Sequence, residues 1–243
     1  MLFRSLTDIL ENYAQVVERK DTKTTKVKRD QLFPRYHQLD VVRRLLADAA
    51  QHGAGKRYLI QHSAGSGKSN SIAWLAHQLI GLRRADQQVF DSIIVVTDRR
   101  ILDQQIRDTI KQFAQVGATI GHAEHSGDLR RFLAAGKKII ITTVQKFPFV
   151  LEEIGSDHAT RRFAILIDEA HSSQGGKAAA AMSRALAGLE TDEEETTEDQ
   201  INRIMEGRKL LKNASYFAFT ATPKNKTLET FGEVIPGEVD ADG

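Results

Sequence analysis

Short apolar runs alternate with amphipathic segments along most of the chain. The runs at 92–97 and 163–167 are almost continuously apolar and rich in β-branched residues, which is typical of strands buried on both faces of a parallel sheet. Between such runs, apolar residues recur at helical spacing, as they do from Ile72 to Ile80. Strands that alternate with helices need crossover connections, so the pattern predicts an α/β fold with a doubly wound, mainly parallel sheet.

The predicted elements divide the chain into three regions. Residues 1–34 contain a short amphipathic helix and a polar, basic stretch without periodicity, which we interpret as a linker. The main domain spans 35–233 and includes a mobile acidic loop at about 190–199, and 234–243 form an acidic tail. Within the main domain, strands are predicted at 58–60, 92–97, 138–143, 163–167 and 216–219, and helices at 36–50, 72–80, 102–113, 126–135, 145–154, 178–189 and 199–211.

The composition of the 243 residues is that of an ordinary globular protein, with 41% hydrophobic and 27% charged residues. The chain has no cysteine, which excludes disulfide frameworks, thiol catalysis and cysteine-based metal sites. It has neither the roughly 18 apolar residues of a membrane helix nor a signal peptide, so we expect a cytoplasmic protein without a membrane partner. The net charge of +2 conceals an acidic cluster at 190–199, which leaves the rest basic and compatible with a polyanionic partner.

A glycine-rich turn, HSAGSGKS, lies between a predicted strand and a predicted helix. Gly65 and Gly67 allow successive backbone N–H groups to converge on phosphate oxygens, and the helix adds the positive end of its dipole. Lys68 is placed to neutralise the β- and γ-phosphates, and Ser69 to ligate Mg²⁺. The usual pattern G-x-x-x-x-G-K-[ST] has glycine where this chain has His62, so a glycine-rich turn with a solvated lysine is the alternative. The flanking strand and helix favour the phosphate loop.

An acidic pair, Asp168 and Glu169, follows the apolar run at 163–167. Phosphate-loop hydrolases need one carboxylate beside the loop to hold Mg²⁺ and another to polarise the attacking water, and we assign these roles to Asp168 and Glu169 respectively. Acidic residues also favour helix N-termini, so a pair that only caps the next helix is the alternative. The pair and the glycine-rich turn both follow strands, at the ends where α/β sheets bind ligands. The sequence therefore predicts a nucleotide hydrolase that uses Mg²⁺.

The runs HSAGSGKS, IDEAH and FTATP, in this order and spacing, resemble motifs I, II and III of superfamily 2 helicases and translocases. The resemblance implies a RecA-like P-loop NTPase lobe that uses ATP and Mg²⁺. It also implies that an upstream R-x-x-Q element contacts adenine, although the side chain of Gln38 by itself is more simply interpreted as a solvated helix residue. The ATP contacts implied are Arg35, Gln38, Ser63, Ala64, Gly65, Ser66, Gly67, Lys68 and Ser69.

The same resemblance assigns residues that couple ATP hydrolysis to nucleic-acid binding. These are Thr220, Ala221 and Thr222 of the FTATP run and His171 of IDEAH. For His171, a simple hydrogen bond to a neighbouring group is the alternative.

Four longer sequence runs indicate a particular family within superfamily 2. VVTDRRILDQQI, ITTVQKF, IDEAHSSQGG and FTATPKNKTLETFG are similar to the first RecA-like domain of the motor subunit (R, or HsdR) of type I restriction enzymes. That similarity implies a motor that translocates double-stranded DNA by ATP hydrolysis before the DNA is cleaved. The motor would act in a complex with methyltransferase and specificity subunits. For Arg99 and Arg100, solvated basic side chains are the alternative. The DNA contacts implied are Arg99, Arg100, Gln105, Thr143 and Lys146.

Full motor subunits of this type also carry a nuclease domain, a second RecA-like lobe and a helical tail. We therefore expect this chain to be a fragment that holds one lobe, binds ATP weakly and hydrolyses it slowly. Two alternatives remain open. One is a DEAH-type helicase or remodelling motor that acts on RNA or on other DNA structures, and the other is a nucleotide-gated binding module.

Overall fold

The computed structural model describes residues 2–20, 27–63, 65–97, 110, 120–123, 126–168, 201 and 211–232. Within them, the helices are α1 (Leu2–Asn12), α2 (Tyr36–His52), α3 (Lys68–Gly81), α4 (Ser126–Ala134), α5 (Phe147–Gly155) and α6 (Asn225–Phe231). The strands are β1 (Gln15–Lys20), β2 (Val27–Leu32), β3 (Arg57–Gln61), β4 (Arg83–Arg84), β5 (Gln87–Gln88), β6 (Ser92–Thr97), β7 (Ile120–His122), β8 (Ile139–Thr143), β9 (Phe163–Asp168) and β10 (Ala214–Thr220). A 3₁₀ helix, Val144–Lys146, precedes α5.

A parallel sheet of six strands forms the centre of the described structure, in the order β3-β10-β9-β6-β8-β7. Neighbouring strands are distant in sequence, so the chain crosses over between them, as a doubly wound sheet requires. The register pairs Gln61 of β3 with Thr220 of β10, and Phe219 of β10 with Asp168 of β9. The ends of these three strands therefore lie side by side at the carboxyl edge, where open α/β sheets bind ligands.

Two hydrophobic clusters cover the two faces of the sheet, and side chains alternate between them along each strand. In β6, Ile93 and Val95 belong to one cluster and Ile94 and Val96 to the other. Both sets are buried, so the strand reads as a continuous apolar run although its side chains keep the two-residue period. Helices α2 and α3 pack on the first face, and α4 and α5 on the second. The predicted fold class is confirmed.

The described N-terminal residues form the helix α1 and the strands β1 and β2. Strands β1 and β2 pair as an antiparallel hairpin. Tyr13 is fully buried, and its carbonyl accepts a hydrogen bond of 2.9 Å from Nε1 of Trp74 on α3. Asp8 of α1 forms an ion pair of 2.5 Å with Arg43 of α2. No strands were predicted at 15–20 and 27–32, because a hairpin held by backbone pairing leaves no hydrophobic period in the sequence. Residues 21–26 of the interpreted linker lie outside the described residues, and the linker stays a prediction.

The strands and helices predicted between 36 and 167 and at 216–219 are present at nearly the predicted positions wherever the structure describes them. The helix predicted at 102–113, those at 178–189 and 199–211, the acidic loop and the acidic tail lie largely or wholly outside the described residues. None of the described helices has the length and apolar content that a bilayer span demands.

Candidate functional site

The loop after β3 is shaped by two glycines. Gly65 and Gly67 have φ angles of +75° and +85°, in the left-handed region that other residues rarely adopt. Helix α3 begins at Lys68 with Gly67 as its N-cap, so the positive end of the helix dipole points at the loop, as phosphate-binding loops require. At Gly67, an added Cβ would also collide with Nε2 of Gln38. Both glycines are therefore needed for the shape of the loop.

A lysine and a buried carboxylate meet beside this loop. Nζ of Lys68 lies 3.3 Å from Oδ1 of Asp168, and the two side chains are 17% and 1% exposed. A carboxylate so deeply buried needs a cation nearby, because transfer of a lone charge from water is strongly unfavourable. Carboxylate and hydroxyl oxygens are also the ligands that Mg²⁺ prefers, so the side chains of Asp168 and of Ser69, which follows Lys68 in α3, have the chemistry that fits such an ion.

Thr220 ends β10 between the loop and Asp168. Its carbonyl accepts a hydrogen bond of 2.7 Å from the backbone N–H of His62. Its hydroxyl is buried and has no hydrogen-bond partner among the described residues. Buried hydroxyls are normally bonded, so Thr220 keeps a donor and an acceptor unused at the carboxyl edge. The next two residues are progressively more accessible, since Ala221 is half-buried and Thr222 is exposed.

Gln38 is buried under the loop, and its amide is engaged there. Oε1 accepts a hydrogen bond of 2.8 Å from the backbone N–H of Arg35. Nε2 donates to the carbonyls of Ser66 and Gly67, at 3.2 and 3.0 Å. Because both amide hydrogens are used, Gln38 reads adenine only if these bonds to the loop open. The expected adenine contact stays a prediction, as does that of Arg35, which is exposed at the start of α2.

His62 is a residue of the site that the sequence did not predict. It was noted only because it stands where the usual loop pattern has glycine. Its side chain is 5% exposed, with Nδ1 2.5 Å from Oγ of Ser66 and Nε2 3.4 Å from Oγ of Ser71. Burial lowers the pKa of His62 below its ordinary value of 6.5, and the nearby His37 and Lys68 lower it further. Burial and these two neighbours therefore favour the neutral imidazole. The sequence feature that could have predicted a role for His62 is a polar residue at a motif position that normally has glycine.

Residues 37–237 match the SWI2/SNF2 ATPase family. The chain belongs to this family. It is therefore a superfamily 2 helicase-like motor domain, as the resemblance of its motifs implied. Family membership also implies the use of a nucleotide, which agrees with the phosphate loop and its lysine.

Two relatives of this SWI2/SNF2 ATPase domain are endonuclease subunits of restriction enzymes. The chain is 25% identical over 193 residues to the type I restriction enzyme SauMSSORF170P endonuclease subunit of Staphylococcus aureus (strain MSSA476), a match that covers 78% of the chain and 17% of the relative. It is 27% identical over 184 residues to the putative type I restriction enzyme MjaIXP endonuclease subunit of Methanocaldococcus jannaschii, covering 73% and 15% respectively. The chain thus spans less than a fifth of the length of these relatives.

Among solved structures, the domain is similar to the UvsW helicase from bacteriophage T4. The TM-score is 0.50 at 14% sequence identity, and the match covers 94% of this chain and 64% of that one. At this identity the similarity concerns the fold, and it confirms a RecA-like lobe. The resemblance to the motor subunit of type I restriction enzymes is likewise confirmed by the restriction-enzyme relatives.

Two of the expected DNA contacts of this SWI2/SNF2 ATPase domain are described. Thr143 is half-buried at the end of β8. Nζ of Lys146 donates a hydrogen bond of 3.0 Å to the carbonyl of Ala123, the residue after β7. The ammonium of Lys146 therefore holds the end of the edge strand, and its contact with DNA stays a prediction.

The other expected site residues lie outside the described part of the chain. They are Ala64, Arg99, Arg100, Gln105, Glu169 and His171. Within the described part, no group of three or more His, Cys, Asp or Glu side chains forms a metal cluster.

Proposed function

We propose that the chain is the ATP-binding lobe of a double-stranded DNA translocase that serves a type I restriction-modification endonuclease. The observation that carries the proposal is the 3.3 Å contact of Lys68 Nζ with Asp168 Oδ1 at the carboxyl edge of the sheet. A lysine on a phosphate loop beside a buried carboxylate is what nucleotide hydrolysis with Mg²⁺ needs. Membership of an ATPase family and the restriction-enzyme relatives support the choice of motor.

The residues assigned to ATP hydrolysis have separate roles. The backbone N–H groups of 65–67 and the ammonium of Lys68 hold the β- and γ-phosphates. Ser69 and Asp168 are the residues that would hold Mg²⁺, which when bound supplies positive charge to the transferring phosphoryl group. Glu169 polarises the attacking water.

Coupling to DNA is assigned to residues that follow strands of the sheet in the sequence. The carbonyl of Thr220 is bonded to the base of the loop at His62, so a shift of the loop reaches the end of β10 directly. Contacts with phosphates dominate the affinity of such proteins for DNA and make it sensitive to salt. The residues assigned to coupling are His171, Thr220, Ala221 and Thr222, and those assigned to DNA are Arg99, Arg100, Gln105, Thr143 and Lys146.

The proposed motor works with a second lobe and with methyltransferase and specificity subunits. In ATPases of this kind an arginine from across the cleft stabilises the charge on the γ-phosphate, and it accelerates hydrolysis by about 10³ to 10⁵. We therefore expect this chain alone to bind ATP and Mg²⁺ but to hydrolyse ATP slowly. DNA-stimulated turnover at tens per second by the chain alone would contradict the one-lobe assignment.

The deciding experiment compares two lysines on opposite edges of the sheet. Lys68→Ala removes the ammonium at the loop, whereas Lys56→Ala removes one that precedes β3 and lies 3.9 Å from Asp48. We expect Lys68→Ala to abolish ATP binding by the chain and DNA translocation by the complete motor subunit, with unchanged circular dichroism. Lys56→Ala should preserve both. Translocation retained in Lys68→Ala would refute the phosphate-loop assignment.

The alternatives give different results in the same assays. ATP hydrolysis that is stimulated by RNA or branched DNA, and that needs no methyltransferase partner, would indicate a helicase or remodelling motor. The variant Glu169→Gln distinguishes a motor from a nucleotide-gated binding module. This variant should trap ATP and stop a motor, whereas it should leave a nucleotide-gated interaction largely intact.

A further inference from the structure

We propose that His62 is a positioning residue of the phosphate loop, which it holds in its binding shape through a hydrogen bond from Nδ1 to the hydroxyl of Ser66. The proposal rests on the proposed function, since it assumes that the loop binds nucleotide phosphates. It assigns a purpose to the residue that replaces the first glycine of the usual loop pattern.

The imidazole of His62 lies at the base of the loop and contacts the elements around it. Nδ1 is 2.5 Å from Oγ of Ser66 in the loop, and Nε2 is 3.4 Å from Oγ of Ser71 on α3. The ring also packs edge-on against that of His37 on α2, with 5.3 Å between ring centroids. The backbone N–H of the same residue is bonded to the carbonyl of Thr220 at 2.7 Å. One residue thus ties the loop to two helices and to β10.

The hydrogen bonds around Ser66 determine which nitrogen carries the proton. The hydroxyl of Ser66 donates to the carbonyl of Ser63 at 2.6 Å. A hydroxyl has a single hydrogen, so Oγ of Ser66 must accept from Nδ1–H of His62. Nε2 is then the acceptor, and the hydroxyl of Ser71 is its donor. The Nδ1-protonated tautomer satisfies every one of these bonds, and a neutral ring suffices for it.

The surroundings of His62 favour this neutral form. The titratable groups that face it are His37 and Lys68, both of which disfavour a second positive charge, and burial acts in the same direction. Asp168 is bonded to Lys68 at 3.3 Å, so its charge is already compensated there. The imidazole consequently acts as a fixed pair of one donor and one acceptor.

Other contacts hold the backbone of Ser66, whereas His62 donates a hydrogen bond to its hydroxyl. Nε2 of His37 and Nε2 of Gln38 each lie 3.2 Å from the carbonyl of Ser66. The backbone N–H of Ser66 closes a turn with the carbonyl of Ser63 at 3.2 Å. A glycine at position 62 would leave the hydroxyl of Ser66 without its donor and would leave a gap between α2 and α3.

A loop that is ordered before the nucleotide arrives loses less conformational entropy on binding. The contribution of His62 is therefore to nucleotide affinity, in ground state and transition state alike. Its loss should raise KM and Kd while kcat stays close to the wild-type value. A residue that contacted the reacting phosphate would instead lower kcat.

The test uses two amides that mimic the two ring nitrogens. His62→Asn places its amide at the position of Nδ1 and preserves the donor to Ser66, whereas His62→Gln places it at the position of Nε2, towards Ser71. We expect His62→Asn to bind ADP with Mg²⁺ within about twofold of wild type, and His62→Gln and His62→Ala to bind about tenfold more weakly, as for the loss of one hydrogen bond. Ser66→Ala should weaken binding similarly, and His62→Ala should then add little to it.

A second measurement does not depend on the nucleotide. Hydrogen exchange of the backbone N–H of Ser66, without nucleotide, should be about tenfold faster in His62→Ala and His62→Gln and unchanged in His62→Asn. Equal exchange in all variants, or equal ADP affinity for the asparagine and alanine variants, would overturn the role of His62. If wild type failed to bind ADP while the exchange differences held, the positioning of the loop by His62 would stand and the proposed function would fall.

Discussion

Lys68 of α3 and Asp168 of β9 neutralise each other at the carboxyl edge of the sheet, with 3.3 Å between Nζ and Oδ1. The two residues are separated by 100 positions in the sequence and meet because β3 and β9 flank β10. Each compensates a charge that burial would otherwise penalise. In the proposed site, the ammonium and the carboxylate serve different parts of the same ligand, since one attracts phosphate and the other Mg²⁺.

Asp168→Asn tests the assignment of Mg²⁺. The amide keeps the shape of the side chain and removes its charge, and burial of an amide is less unfavourable than burial of a carboxylate. We expect the chain to stay folded and the gain in ATP affinity on addition of Mg²⁺ to fall at least about tenfold. ATP titrations with Mg²⁺ and with EDTA measure this gain.

Asp91→Asn is the matched control, because Asp91 precedes β6 at the opposite edge and accepts a hydrogen bond of 2.7 Å from the backbone N–H of Arg162. An undiminished Mg²⁺ effect in Asp168→Asn would contradict the assignment.

Gln38→Ala and Gln38→Glu test the loop clamp, by which we mean the two hydrogen bonds from the amide of Gln38 to the carbonyls of Ser66 and Gly67. Alanine removes the donor to Ser66 and Gly67, and glutamate places a carboxylate oxygen against their carbonyls. We expect ATP affinity to fall by ~1–3 kcal/mol in the alanine variant and further in the glutamate variant, because the latter adds repulsion. Gln51→Glu, which adds the same charge at an exposed position of α2, should bind normally.

The choice of nucleotide distinguishes a loop clamp from an adenine contact at Gln38. A clamp supports the phosphates, so both ATP and GTP should bind more weakly to Gln38→Ala by a similar factor. A loss confined to ATP would show instead that the amide leaves the loop and reads the base, as glutamine does with adenine in DNA.

Gly67→Ala and Gly65→Ala separate backbone strain from steric collision. Both glycines have positive φ, so alanine costs about 1 kcal/mol or more at either position. Only at Gly67 would the added Cβ also meet the amide of Gln38, whereas at Gly65 no atom of the described residues lies within 4 Å of it. We expect Gly67→Ala to lose clearly more ATP affinity and more thermal stability than Gly65→Ala. Equal losses, measured by titration and differential scanning calorimetry, would mean that Gln38 moves aside without cost.

The buried His62 and the half-buried His77 predict that the protein loses stability in mild acid. Burial lowers the pKa of His62 and of His77 below the ordinary value of 6.5, and for His62 the nearby His37 and Lys68 add to the effect. The unfolded chain therefore takes up protons at a higher pH than the folded one, so this contribution is complete above pH 6.5 and decreases as the pH falls below it. We expect the free energy of unfolding to decline between pH 7 and 5, as measured by urea denaturation. The double variant His62→Asn, His77→Gln should show a flatter profile, and an unchanged profile would assign the effect to other groups.

The sheet strands of the domain were predictable because their sequence pattern is local. β6 and β9 bury both faces, so a run of apolar residues marks each of them whatever lies next to it. The phosphate loop and the acidic strand end were found for the same reason, since Gly67, Lys68 and Asp168 are recognised from their immediate neighbours. The hairpins were missed, because the strands at 83–84 and 87–88 are short and polar and are joined through Ala85 and Asp86 at positive φ rather than through a recognisable Asn-Gly turn.

By itself, the sequence determined the α/β class, the family resemblance and the residue types available for chemistry. Only the tertiary structure decided which of them touch. The crossovers that put β10 between β3 and β9 bring Lys68 to Asp168, and the packing of α2 under the loop commits Gln38 to the carbonyls of Ser66 and Gly67. The same helix covers His62, whose ring lies against that of His37. Contacts between residues distant in sequence depend on where the fold places the backbone, so no local pattern predicts them.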